Sequence, residues 1–181
     1  MTDKKIKDIL LSQIDIKKII RENPSISKGD VKRVIDKING VFSRVSEDVY
    51  YLHVDGASRG NPGDAGIGVV INDCNNKTIE EYCEYIGRQT NNAAEYMALI
   101  GGLKKVKKYK ASVLKIFSDS QLMVQQVKGV WRVKDSNLKV LYNEVRVLLG
   151  SIDSWEINAV PRNENKRADA LANMGIDTGK K

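Results

Sequence analysis

The chain has 181 residues, 41% of them hydrophobic and 29% charged, which suits one compact domain with a small appendage and excludes collagen-like, mucin-like or wholly disordered classes. Its formal charge of +7 draws it toward polyanions, of which nucleic acid is the commonest, although a solvated lysine surface gives the same total. Two cysteines, Cys74 and Cys83, and a single histidine, His53, exclude a disulfide framework and a four-ligand Cys/His zinc site. The apolar runs are too short to cross a bilayer, and the start is too charged for a secretory signal. A cytoplasmic protein with free thiols and no membrane contact is expected.

Residues 1 to about 46 read as a helical module. Ile6, Ile9, Leu10 and Ile14 follow helical spacing, as do Ile16, Ile19 and Ile20. Asn23-Pro24 stops that run. Ser27 with Asp30 resembles a capping box that opens a second helix with the stripe Val31, Val34, Ile35 and Ile38, which Asn39-Gly40 is expected to end. Through residue 48 the module carries 11 Lys/Arg against 8 Asp/Glu, and Phe42 is its only aromatic, so it is neither a basic arm nor a base-stacking platform. A docking or dimerisation element toward a protein partner is expected there.

From Tyr50 the pattern turns to strands. Residues 50–55 are rich in β-formers and lead into a turn across 55–63. Two more strands over 66–71 and 78–86 complete a meander. A helix capped by Asn91 or Asn92 runs to about Lys108. A strand over 113–117, helices near 120–127 and 136–149, a strand over 155–160 and a helix over 166–174 follow. The order βββαβααβα predicts a mixed five-stranded α/β sheet flanked by helices. The domain is expected over 49–176, with 177–181 as a tail.

Four acids fall near the ends of these elements. Asp55 is expected at the end of the first strand and Asp119 just past the fourth, where open α/β sheets bind ligands. Glu95 lies early in a helix among Ala93, Ala94 and Ala98, and Asp169 near the start of the last helix. Clustered carboxylates repel one another unless a cation sits among them. Oxygen-only ligands select Mg²⁺ or Mn²⁺ over zinc or copper. Two such ions can activate water and stabilise a leaving oxygen, so metal-assisted phosphodiester hydrolysis is the chemistry expected.

Val54-Asp55-Gly56-Ala57-Ser58-Arg59-Gly60-Asn61-Pro62-Gly63, Thr90-Asn91-Asn92-Ala93-Ala94-Glu95, Ser118-Asp119-Ser120-Gln121 and Asn165-Lys166-Arg167-Ala168-Asp169 resemble the four motifs of type 1 ribonuclease H. They occur in family order over residues 50 to about 175. The resemblance implies a ribonuclease H-like fold and an endoribonuclease that cuts the RNA strand of an RNA/DNA hybrid, leaving 5′-phosphate and 3′-hydroxyl ends. It also implies two Mg²⁺ ions per site, with Mn²⁺ as a substitute. Asp55 would bridge both ions, Glu95 and Asp119 would hold one, and Asp169 the other. Asn61, Asn91, Asn92 and Gln121 resemble the family's minor-groove contacts, since amides both donate to and accept from 2′-hydroxyls and base edges.

Two departures stand out. The loop before the last helix, residues 160–165, lacks the histidine that some family members carry there, and Arg162 or Glu164 is left to substitute in part. The segment 127–134 is shorter than the basic handle of some relatives, yet Lys128, Trp131, Arg132 and Lys134 can supply phosphate contacts and one apolar face for the DNA strand. Trp131 fits a surface anchor and a core residue equally well. His53 reads as structural, with a supporting role beside Asp55 open to it. Two alternatives stay open: another nuclease of the same fold, such as a resolvase or transposase-like enzyme, and a catalytically silent nucleic-acid-binding module.

Overall fold

The structure is a computed structural model that describes residues 11–47 and 49–179, with backbone alone for 41–47. The chain divides into two compact units, Met1–Asp48 and Val49–Lys181.

The first unit is helical. Helix α1 (Ile16–Glu22) is capped by Asp15, whose side chain accepts from Lys18 N, and closed by Asn23, which donates to Ile19 O. Helix α2 (Lys28–Glu47) opens on a reciprocal box. Ser27 N and Oγ donate to Asp30 Oδ2 at 3.0 and 2.6 Å, and Asp30 N donates back to Ser27 Oγ at 3.2 Å. Asn39-Gly40 does not end this helix. The apolar spacing resumes at Val41, Phe42 and Val45, and an interior glycine costs only about 1 kcal/mol relative to alanine. Ile6, Ile9 and Leu10 lie outside the described residues.

The second unit is a five-stranded mixed sheet. Its strands are β1 (Val49–Gly60), β2 (Gly63–Asn72), β3 (Thr78–Gln89), β4 (Val113–Ser118) and β5 (Ser154–Ala159), in the order β3-β2-β1-β4-β5. β1–β2–β3 form an antiparallel meander, while β4 pairs parallel to both β1 and β5. The helices are α3 (Asn91–Val106), α4 (Gln121–Val127), α5 (Ser136–Leu149) and α6 (Lys166–Thr178). The last runs four residues past the expected end and takes in the first two residues of the expected tail.

Strand alternation sorts the two faces. Leu52, Val54, Ile67, Val69, Leu114 and Ile116 join Leu99, Leu103 and Leu149 in the larger core, each fully buried aliphatic stabilising by roughly 1.5–3 kcal/mol. On the other face Val70 packs with Ala168 and Leu171 of α6. Gly68 makes that closeness possible, since a Cβ there would lie 2.0 Å from Ala168 O.

β1 is longer than expected. The 55–60 segment stays extended because it pairs residue by residue with β2, from Asp55 opposite Gly68 to Gly60 opposite Gly63. Asp55 therefore sits mid-strand rather than at the strand's end. It still lies just beyond the parallel ladder with β4, which stops at His53 opposite Phe117.

Candidate active site

Each candidate acid is placed by a local feature of the sequence. Gly56 lets the start of α3 press onto β1, because a Cβ there would fall 2.1 Å from the Ala94 carbonyl carbon. That contact brings Glu95 over the strand, and its Oε2 accepts from Gly56 N at 3.2 Å. Asp119 follows the end of β4, where Ser118 Oγ accepts from Ser120 N and Ser120 in turn caps α4 by accepting from Met123 N. Ligand oxygens of Asp55, Glu95 and Asp119 all lie within 4.8 Å of one another. With Gly56, Ala57, Asn91 and Arg162 they line a cleft of about 120 Å³.

Asp169 is not in that trio. Its Oδ1 accepts from Arg162 Nε at 3.1 Å and Nη2 at 2.5 Å, and Arg162 comes from the loop that lacks a histidine. Asp169 is still near enough to add repulsion at Asp55.

The charges of the trio are poorly balanced. Burial pushes the Asp55 carboxyl up to about 7, reinforced by the charge of Asp119 and a hydrogen bond with it, while Arg162 pulls the other way. Burial drives Glu95 well above the ordinary carboxylate range, with Asp55 and Asp119 adding to it and the Gly56 amide opposing it. An all-oxygen donor set of buried, mutually repelling carboxylates fits a hard divalent cation, which would restore the ionised forms.

The polar candidates border this cleft. Thr90, not an asparagine, caps α3 by accepting from Ala93 N, so the side chains of Asn91 and Asn92 are free of capping. Asn61, at the β1–β2 turn, accepts from Asn91 N at 3.1 Å and ties the hairpin tip to the helix start. A second cleft of about 220 Å³ shares that helix start and is lined by Asn61, Gln89, Thr90, Asn92, Asp135 and Asn137. Gln121 is exposed on the first turn of α4. Trp131 is a surface residue, 48% exposed beside Val130 at 66%. Lys128 reaches Asn158 Oδ1 at 3.3 Å, and Lys134 is exposed.

The family model described as reverse transcriptase-like matches residues 53–175. A ribonuclease HI of Halobacterium salinarum is 42% identical over 127 residues, which cover 70% of this chain and 64% of that protein. A bifunctional protein of Mycobacterium tuberculosis is 41% identical over 127 residues, covering 70% of this chain and 35% of its own length. The chain thus spans less than two thirds of these curated relatives. The solved structure of LC11-RNase H1 in complex with RNA/DNA hybrid superposes with a TM-score of 0.69 at 36% identity, covering 73% of this chain and 99% of that one.

The chain belongs to the type 1 ribonuclease H family. Its mixed sheet flanked by helices is the ribonuclease H arrangement. Three of the four acids suggested by the family motifs meet in one cleft, and the fourth stands at its edge in an ion pair.

Asn165, within the fourth motif, has a role that the motif alone does not reveal. It is 2% exposed, and its Nδ2 donates to Val54 O at 2.9 Å and to Asp119 Oδ1 at 3.1 Å. Its place at the head of a helix reads as an ordinary cap, which masks this use. Tyr96 donates to Gln126 Oε1 at 2.9 Å inside the core, and Gln126 Nε2 donates to Arg132 O at 3.4 Å, pinning the segment that carries Trp131.

Proposed function

We propose that this chain is an endoribonuclease that hydrolyses the RNA strand of RNA/DNA hybrids. The observation that carries the reading is the convergence of Asp55, Glu95 and Asp119 oxygens within 4.8 Å, next to a cleft lined by carboxamides. Its support is family membership and the hybrid bound by the LC11 relative.

Asp55, Glu95 and Asp119 would hold one divalent cation, with Asp55 shared and Asp169 serving a second. Mg²⁺ is the preferred ion and Mn²⁺ a substitute. When bound, such cations lower the pKa of a water and offset charge on the phosphate and leaving oxygen. The P–O3′ bond breaks as water adds to phosphorus, which leaves a 5′-phosphate and a 3′-hydroxyl. The carboxylates keep the nucleophile and phosphate in register, and Arg162 supplies a positive charge at the rim of the cleft.

The amides of Asn61, Asn91, Asn92 and Gln121 read the hybrid minor groove, where 2′-hydroxyls mark the RNA strand. Lys128 and Lys134 meet phosphates, and the exposed face of Trp131 packs on the DNA strand. Residues 49–178 form the catalytic unit in this reading. The helices of the N-terminal unit serve docking or dimerisation with a protein partner. The free thiols of Cys74 and Cys83 accord with a reducing, cytoplasmic setting, and no described helix is long and apolar enough to cross a membrane.

A cleavage assay on labelled hybrid, double-stranded RNA, single-stranded RNA and duplex DNA with Mg²⁺ tests the substrate class. Cleavage of the RNA strand in the hybrid is expected, and equal cleavage of single-stranded RNA would refute it. A chain beginning at Glu47 should keep the hybrid KM, and a large rise would move the N-terminal unit into substrate binding.

A further inference from the structure

Asparagine is among the best helix N-caps because its short side chain accepts from the first free amides. Asn165 occupies that position on α6, yet its side chain makes no capping bond. It turns inward instead, and both hydrogens of Nδ2 are engaged, one by the peptide carbonyl that precedes Asp55 and one by the Asp119 carboxylate. Its own carbonyl accepts from Asp169 N at 3.1 Å. One buried residue therefore ties together the backbone of Asp55, the side chain of Asp119 and the backbone of Asp169. Asn165 Oδ1 is also buried, and no donor reaches it in hydrogen-bond geometry.

We infer that Asn165 is a positioning residue for the acid cluster, its amide fixing the Asp119 carboxylate against the peptide that leads into Asp55. The inference rests on the reading of Asp55, Glu95 and Asp119 as cation ligands. Hydrogen-bond partners just outside a ligand set orient the ligands, and losing one costs roughly 10- to 100-fold in metal affinity or activity.

The test is Mn²⁺ binding to the full chain without substrate, by titration calorimetry, alongside steady-state cleavage of hybrid. Asn165→Ala should weaken Mn²⁺ by about 10-fold or more and lower kcat, with KM for hybrid unchanged. Because Asn165→Ala also strips Val54 O of its donor, circular dichroism checks its fold, and Asn165→Ser, whose hydroxyl can donate to only one acceptor, provides a milder second arm. Asn165→Ser should weaken Mn²⁺ several-fold, less than Asn165→Ala does. Wild-type Mn²⁺ affinity in both Asn165→Ala and Asn165→Ser would overturn the positioning role while leaving the metal reading intact. A wild-type chain that binds no Mn²⁺ would overturn the metal reading and this inference with it.

Discussion

Two acidic regions, one lining the cleft and one bonded to Arg162 at its wall, differ in what balances their charge. Asp55, Glu95 and Asp119 converge with one backbone amide, Gly56 N, donating to Glu95 and with no lysine lining the cleft. Asp169 instead has a guanidinium of its own, donating to Oδ1 through two nitrogens. Burial and mutual repulsion push Asp55 and Glu95 toward their protonated forms. The trio is a region of unbalanced charge that the fold tolerates, and such a region is stable in its ionised form only with a cation. Asp169 is an acid already neutralised, which must exchange Arg162 for a cation if it is to join the others.

The largest effect should come from breaking the trio itself. Asp55→Asn or Asp119→Asn should cut kcat on hybrid by more than about 10³-fold, since residues that act as a unit lose nearly all of the chemistry when one goes. Circular dichroism should show the fold intact. Retention of wild-type turnover by either variant would contradict the assignment.

The unbalanced charge also makes a stability prediction. The folded pKa of Asp55 lies near 7, above its ordinary value of 3.8. Between those values the folded chain holds a proton that the unfolded chain has released, so metal-free stability falls as pH rises across that window. A loss on the order of 2–4 kcal/mol is expected in urea titrations with chelator between about pH 4 and pH 8. Mg²⁺ should reverse it at the alkaline end, and Glu95→Gln should raise metal-free stability there while lowering activity. A stability that rises across the window would contradict the electrostatics described.

These contrasts show which parts of the site were legible in the sequence. The four motifs pointed to all four acids, and the Ser27–Asp30 box formed as its spacing suggested, because capping depends on residues three apart. Asp55 was read at a strand's end because the glycines after it look like a turn. Only pairing with β2, a tertiary event, shows that they are strand. Thr90 was passed over as the cap of α3 because Asn91 and Asn92 are equally good local candidates, and packing at Gly56 chooses among them. Asn165 was opaque for the same reason: local sequence gives a cap, and only the third dimension turns its side chain to Val54 and Asp119. Trp131 could not be assigned from spacing, and its exposure decides for the surface.

Away from the acids, smaller effects should separate binding from chemistry. Trp131→Ala should raise KM for hybrid by roughly 5- to 10-fold, about 1 kcal/mol of lost stacking. It should leave kcat and thermal stability near wild type, because the ring is half exposed. A fall in melting temperature without a change in KM would make Trp131 a structural residue. Arg162→Ala bears on the other half of the comparison. Releasing Asp169 should tighten Mn²⁺ binding by about threefold, in line with an ion pair that is largely exposed on the arginine side. Unchanged or weaker binding would show that Arg162 does not compete with a cation for Asp169.

The most direct measurement is cleavage of an RNA/DNA hybrid by the full chain, with and without Mg²⁺, beside its Asp55→Asn variant. RNA-strand products bearing 5′-phosphates, present only with the wild-type chain and only with the ion, are the predicted result. Equal cleavage by the variant, or cleavage that survives chelation, would contradict the account.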